Sequence, residues 1–171
     1  MDFRDIVRLA LEECKRNLYR HIDGLSRQEL VWQPTPEANP IGYLVWHIAR
    51  DEDRWVNFRL RQKPEVWVRD GWCQKFGLPP EATGYGFTAE QVANFPLPQE
   101  FSQVTGYLDA VRKETLEYLP TLTEVELQRD IRLPDRQGYT VADALAHLVV
   151  EESLHMGQVW YLRGLQRGIN K

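Results

Sequence analysis

The stretch TVADALAHLVVEESLHMGQVWYLRGLQRG, residues 140–168, decides how this chain is read. Thr140 stands where a helix N-cap belongs and Asp143 follows three residues later, a pairing in which each side chain satisfies a backbone N–H that the first helical turn leaves free. The helix opened there is predicted to run to about Arg167, with Gly168 as a natural residue just past its end. Within it, Glu151 and His155 are four residues apart. That spacing stacks them on one face, one turn above the other, so a carboxylate oxygen and an imidazole nitrogen can reach the same ion.

Working outward, three more long helices are expected. Phe3, Ile6, Val7, Ala10, Leu11, Cys14, Leu18 and Ile22 recur at spacings of three and four, the pattern of one apolar helix face. Asp23-Gly24 ends that first helix. A second opens at Asn39-Pro40, with Asn as N-cap and Pro in the first position. Its face is Ile41, Leu44, Val45, Ile48, Trp55 and Phe58, and it extends to about Gln62 before Pro64. A third covers about Gln99 to Leu119 on Phe101, Val104, Tyr107, Leu108, Val111, Leu116 and Leu119. Ser26 with Glu29, Thr88 with Gln91 and Thr123 with Glu126 mark single capped turns. The span from about Pro64 to Phe101 reads as a long connection with one short helix at Thr88. A connection of that length usually covers a site, and its aromatics, Trp67, Trp72, Phe76, Tyr85, Phe87 and Phe95, speak against disorder. No sustained alternating pattern is present, so the fold class is an all-α four-helix bundle, one domain over residues 1–171.

The bulk properties bound the function. The 171 residues are 43% hydrophobic and 27% charged, with net charge −4, as in an ordinary folded domain. Without a basic run, no nucleic-acid partner is expected. No apolar stretch approaches the roughly 20 residues that span a bilayer, so no membrane partner is expected either. The N-terminus mixes charged with apolar residues, unlike a secretory signal, which points to a cytoplasmic location. Cys14 and Cys73 are the two cysteines, which excludes a thiolate zinc site and argues against a disulfide framework. Four of the six tryptophans, Trp46, Trp55, Trp67 and Trp72, cluster. They read either as core and loop packing or as an aromatic wall over a pocket.

Four histidines remain to be placed. His21 closes the first helix and reads as a surface residue favourable to the helix dipole. His47 lies on the core-facing side of the second helix beside Leu44 and Ile48, where a polar ring needs a partner. A histidine so placed is commonly just a satisfied core residue, and a Glu–His pair on a helix is commonly a solvent ion pair. Together in a bundle, His47, Glu151 and His155 form a candidate three-ligand set that leaves positions open, suited to zinc, nickel or ferrous iron. There is also an internal echo. Leu44-Val-Trp-His47-Ile-Ala-Arg-Asp51-Glu52 resembles Leu145-Ala-His147-Leu-Val-Val-Glu151-Glu152, as if two helix hairpins were related by a pseudo-twofold axis. It raises a competing set of His47, His147 and Glu151. His147 and His155, roughly 12 Å apart along the axis, cannot both serve one ion. A di-iron bundle is a third option through Glu152-Ser-Leu-His155, although the second helix has no matching Glu-x-x-His.

His47 on the second helix and the segment ending His155-Met-Gly-Gln158 resemble the DinB/YfiT-like superfamily of metalloenzymes. There the last helix carries His-x-x-x-His followed by Arg-Gly-Gln, and the second helix gives a third His. Here the first position of that motif is Glu151 and the Arg is Met156. The His/Glu/His variant is similar to the metal set of the mycothiol-dependent maleylpyruvate isomerase branch. Asp51-Glu-Asp-Arg-Trp55, Asp70-Gly-Trp72, Lys75-Phe-Gly-Leu-Pro79, Thr83-Gly-Tyr-Gly86 and Gly106-Tyr-Leu-Asp109 resemble a DinB-like bacterial subgroup. The resemblance implies an up-down-down-up bundle, a homodimer, and one divalent metal ion in an open three-ligand site. It also implies thiol transfer or isomerisation with a low-molecular-weight thiol on a small-molecule substrate.

Two functions therefore stand side by side. In one, the chain is a metal-dependent thiol transferase, isomerase or hydrolase acting on a small electrophile. Asp51, one turn from His47, then serves as an outer hydrogen-bond acceptor or general base, and Arg54, Trp55 and Trp72 line the pocket. Asp51 has a plainer reading as a surface salt bridge to Arg50 or Arg54. In the other, the chain is a dimeric, stress-associated interaction module with a structural ion.

Overall fold

Two of the four long helices begin where a polar side chain satisfies free backbone N–H groups, and the other two open without a side-chain cap, at Pro40 and Phe101. In the computed structural model, which describes residues 2–134 and 136–168, Asp2 and Asp5 form a reciprocal cap that opens α1 (Phe3–Ile22). Ser26 and Glu29 do the same for α2 (Arg27–Val31). Helix α3 (Ile41–Asp53) is entered through Pro40 itself, one residue later than the sequence suggests, because Pro40 is extended rather than helical. Three short helices follow, α4 (Val66–Arg69), α5 (Trp72–Phe76) and α6 (Ala89–Ala93), where one was expected. Then come α7 (Ser102–Tyr118), α8 (Glu124–Leu127) and α9 (Val141–Arg167), the last capped by Thr140 and Asp143 as predicted. The expectation of a domain over 1–171 extends beyond the described residues at 1, 135 and 169–171.

Side-chain pairings set the directions of the four long helices. Cys14 meets Ser153 and His21 meets Trp160, so α1 and α9 run parallel. His47 meets His155 and Trp55 meets His147, so α3 runs antiparallel to α9. Tyr19 donates to Asp109, and Arg112 donates to the Leu11 carbonyl, so α7 runs antiparallel to α1. The all-helical architecture expected from the periodicities is the one observed.

Two apolar clusters are separated by a layer of buried charge. The upper cluster gathers Leu44, Trp46, Ile48, Trp67, Phe76 and Tyr107 around α3 and α7, and the lower one gathers Leu11, Val56, Leu119, Leu122, Val141 and Leu148. Between them Arg112 donates to Glu52 at 2.8 Å and 3.0 Å and to both oxygens of Glu152 at 2.6 Å. Three of the four long helices supply these groups, and the Leu11 carbonyl adds the fourth. Two ionised carboxylates beside one guanidinium would leave a net negative charge out of water, and burial, then the neighbouring Glu52, pushes the Glu152 carboxyl up to about 8, so that it keeps its proton near neutrality.

Three side chains stand elsewhere than their patterns suggest. Beyond Asp53, α3 continues in wider π-helical turns over Arg54–Leu60, where the N–H of Arg61 bonds the Val56 carbonyl at 3.0 Å. The wider turn rotates Phe58 out of the predicted apolar face, leaving it 54% exposed. Ile6, near the start of α1, is exposed as well. His21 is buried rather than on the surface, its Nδ1 at 2.6 Å from the Asn17 carbonyl and its ring against Trp160.

The connection between α3 and α7 packs as part of the core. Asp53, buried on α3, accepts from the backbone N–H groups of Val66 and Trp67 at 3.0 Å and 2.8 Å and from the Tyr107 hydroxyl at 2.8 Å. These bonds pin the start of α4 onto α3 and α7. Cys73 is buried on α5, and no helix among the described residues is long and apolar enough to cross a membrane.

Candidate functional site

Because α3 and α9 run antiparallel, one turn forward on α3 faces one turn back on α9. Three layers result. His47 faces His155, Asp51 lies in the field of Glu151, and Trp55 packs on His147 with ring centroids 4.7 Å apart. The internal echo in the sequence thus has a spatial counterpart. His47, Asp51, His147 and Glu151 all line one cavity of about 350 Å³, while Glu52 and Glu152 both turn to Arg112.

The two facing imidazoles are each held by one nitrogen. The Nδ1 of His47 is 3.0 Å from the Thr83 carbonyl, and the Nδ1 of His155 is 2.9 Å from Oε1 of Gln158. A carbonyl oxygen can only accept, so Nδ1 of each ring donates in these contacts, and the neutral His47 ring keeps the lone pair on its Nε2. Ligating histidines are commonly oriented in this way. The rings stand edge to face with centroids 5.0 Å apart. Burial, then the neighbouring His155, pushes His47 down to about 4, which keeps it neutral near pH 7.

Glu151 lies between the histidines of its own helix. Its carboxylate is 3.4 Å from Nε2 of His155 and 4.0 Å from Nδ1 of His147. Two donors on one tetrahedral ion, each about 2.1 Å from it, stand about 3.4 Å apart. The Glu151–His155 pair has that separation, and His47 is the ring that faces it. Among the described residues no three His, Cys, Asp or Glu side chains are already drawn together as a closed set. His47, Glu151 and His155 are of the side-chain types that divalent ions take, but as they stand they do not form a closed ligand set, and side-chain rotation would be required to make one.

The competing arrangements fare differently. His147 packs on Trp55, two turns from the His47 layer, so it stands apart from the His47–His155 pair. Glu152, which a di-iron reading would need, is committed to Arg112 in the core.

Asp51 is not a surface salt-bridge partner. Arg50 is turned to Asp53, Glu65 and the Ala82 carbonyl, and Arg54 lies 4.0 Å from Glu65. The Asp51 carboxyl is buried beside the cavity, with its Oδ2 lacking a hydrogen-bond partner. Burial, then the Glu151 carboxylate, pushes it up to about 7.

The loop at residues 82–86 closes one side of the cavity. Gly84 has φ +82, and a Cβ there would stand 2.7 Å from Nδ1 of His47 and 2.8 Å from the Tyr43 hydroxyl. Tyr43 donates to the Gly84 carbonyl at 2.8 Å. Only glycine permits both the left-handed backbone and this approach, which brings the Thr83 carbonyl onto His47. Of the expected pocket residues, Arg54 and Trp55 do line the cavity. Trp72 instead packs on Tyr107 under Lys75, outside that lining. Thr83, Arg59 and Arg136 line it without having been singled out.

The family model for the DinB superfamily matches residues 10–159 of the chain. Among solved structures, a crystal structure described as a conserved protein from Enterococcus faecalis superposes with a TM-score of 0.88 at 24% identity, covering 96% of this chain and 97% of that one. Its likeness bears on the fold. No curated protein matches the chain.

Proposed function

The chain belongs to the DinB superfamily, and on that premise we propose that it is a divalent-metal-dependent enzyme that joins a low-molecular-weight thiol, or water, to a small electrophile. The observation that carries this reading is the pair of facing imidazoles on antiparallel helices, each tied through Nδ1 to a protein oxygen, with Nε2 of His155 beside the Glu151 carboxylate. His47, Glu151 and His155 would hold zinc, nickel or ferrous iron. An ion bound there lowers the pKa of a thiol or water at its open position.

The surrounding residues have separate tasks. The Thr83 carbonyl and Gln158 fix the two rings, so that neither needs to reorient as substrate arrives. Asp51, with a proton affinity poised near neutrality and one oxygen without a partner, accepts the thiol proton at Oδ2. Sulfur then forms a bond to the electrophilic carbon, and the leaving group departs with the bonding electrons. Trp55 and Arg54 wall the cavity and limit water. Self-association as a homodimer belongs to the same proposal.

The chemistry is tested by loading the chain with zinc, nickel or ferrous iron and following thioether formation from cysteine and chlorodinitrobenzene. Each turnover releases chloride and a proton. Catalysis above the uncatalysed rate, lost in Asp51→Ala while metal content holds, supports an enzyme. A metal-loaded chain no faster than buffer, whose ion serves stability alone, supports the non-catalytic module instead.

A further inference from the structure

Beside the cavity of the candidate site lies a second hollow, a groove of about 430 Å³ whose lining includes Leu78, Pro79, Thr83, Tyr85, Phe87 and Phe95. Thr83 and Tyr85 line the first cavity as well, so the loop that carries them is the rim between the two. At Gly84 that rim is backbone alone. A Cβ there would stand 2.7 Å from Nδ1 of His47 and 2.9 Å from the Trp46 ring.

The floor of the groove is aromatic and braced from behind. Phe95 packs on Trp46 at 4.8 Å and on Tyr43 at 5.3 Å, and Phe87 meets the same two rings at 6.2 Å. Trp46 and Tyr43 are buried, whereas Phe87 and Phe95 are half-buried and line the groove. Glu81, exposed and screened by water, is the one charged side chain among the lining residues, so an ionic ligand finds no buried counter-charge there. A hollow of this size, apolar with a few polar groups at its edge, is of the kind that takes small molecules.

Tyr85 stands over this floor. Its side chain is 91% exposed, yet the backbone that carries it is held. The N–H of Tyr85 donates to Oγ1 of Thr83 at 3.2 Å, and the Tyr43 hydroxyl donates to the Gly84 carbonyl at 2.8 Å. Left-handed glycines flank it, Gly84 at φ +82 and Gly86 at φ +72, and these turns carry the ring outward. A phenol ring left in water at the rim of an aromatic groove gains apolar contact when a flat group fills that groove.

We propose that the groove holds the uncharged aromatic body of the electrophile, with Phe87 and Phe95 beneath it and Tyr85 above, so that its reactive carbon is presented across the Gly84 rim to the His47–His155 end. Aromatic rings on both sides favour a flat ring over an alkyl chain. The role of the groove rests on the reading of the neighbouring cavity as the reaction site, and it gives that site a substrate class. Loss of the Tyr85 cover removes one ring–ring contact and its buried area, an effect of about tenfold in Kd.

Fluorescence titration of the full chain in chelator with neutral phenylnaphthylamine tests the groove. Saturable binding is expected, weakened about tenfold in Tyr85→Ser and restored in Tyr85→Phe, with melting temperature unchanged because the ring is exposed. In the metal-loaded chain, Tyr85→Ser should raise KM for chlorodinitrobenzene about tenfold and leave KM for iodoacetamide, an electrophile without a ring, as in wild type. No saturable binding, or equal binding by wild type and Tyr85→Ser, overturns the proposal. So does binding that survives Tyr85→Ser and is lost in Leu154→Glu with Tyr161→Glu, which places the probe on α9. Binding in chelator without turnover by the loaded chain keeps the aromatic site and removes the enzyme. Turnover without probe binding removes the aromatic site and keeps the enzyme.

Discussion

Nε2 of His155 lies 3.4 Å from the carboxylate of Glu151 one turn earlier on α9, and the His47 ring from α3 stands edge-on to that same imidazole at 5.0 Å. Three side chains from two antiparallel helices thus occupy two successive turns of the bundle, while the next layer pairs His147 with Trp55.

Asp51 sets a pH signature. Its carboxyl titrates at about 7 in the fold against 3.8 when free, so between those values the unfolded chain has released a proton that the folded chain retains. Stability from this group therefore falls as pH rises through that window, and the penalty is complete above it. In chelator, Asp51→Asn should match wild type near pH 4 and exceed it near pH 8 by up to a few kcal/mol. Urea titrations across pH that show no widening gap would remove Asp51 as a buried, ionisable wall.

Gly84→Ala should destabilise the fold by about 1–3 kcal/mol, through a left-handed backbone and a Cβ crowded against His47 and Tyr43. It should also loosen metal binding, because the Thr83 carbonyl can no longer hold Nδ1 of His47. Thermal melting and a zinc competition titration read the two effects, and an unaltered affinity would separate the loop from the site.

Arg112 joins α7 to α1, α3 and α9 through Leu11, Glu52 and Glu152. Arg112→Leu strands two buried carboxylates and should cost about 3–5 kcal/mol. Adding Glu52→Gln and Glu152→Gln should recover much of the loss. A triple variant as unstable as the single one would show that packing of the arginine stem, rather than charge, is what matters.

Val150, Leu154, Tyr161 and Leu165 are exposed along one face of α9, a stripe that a second copy of the chain would cover. Light scattering should give a dimer mass, and Leu154→Glu with Tyr161→Glu should convert it to monomer. A monomer in wild type at high concentration contradicts this.

What was legible in the sequence was local or periodic. The reciprocal caps at Ser26, Thr88 and Thr140 depend on residues three apart, and all form. That Glu151 and His155 stack on one face of the last helix is legible from their spacing of four, and the inward placement of His47 from the apolar residues beside it. The placement of Phe58 and Arg59 is not, since π-helical turns break the period that the eye follows. Trp72 is close in sequence to residues of the site, but α5 carries it to Tyr107. Arg136 and Thr83 reach the cavity through irregular chain whose path no pattern encodes.

The central claim is that His47, Glu151 and His155 together hold one ion. Elemental analysis of the tag-free protein and of His47→Ala, Glu151→Ala and His155→Ala measures this most directly. The account expects about one divalent metal per wild-type chain and a near-complete loss in each variant that still folds by circular dichroism. Full metal content in the folded His47→Ala and His155→Ala proteins, or none in wild type after saturation with zinc, nickel or ferrous iron, would contradict it.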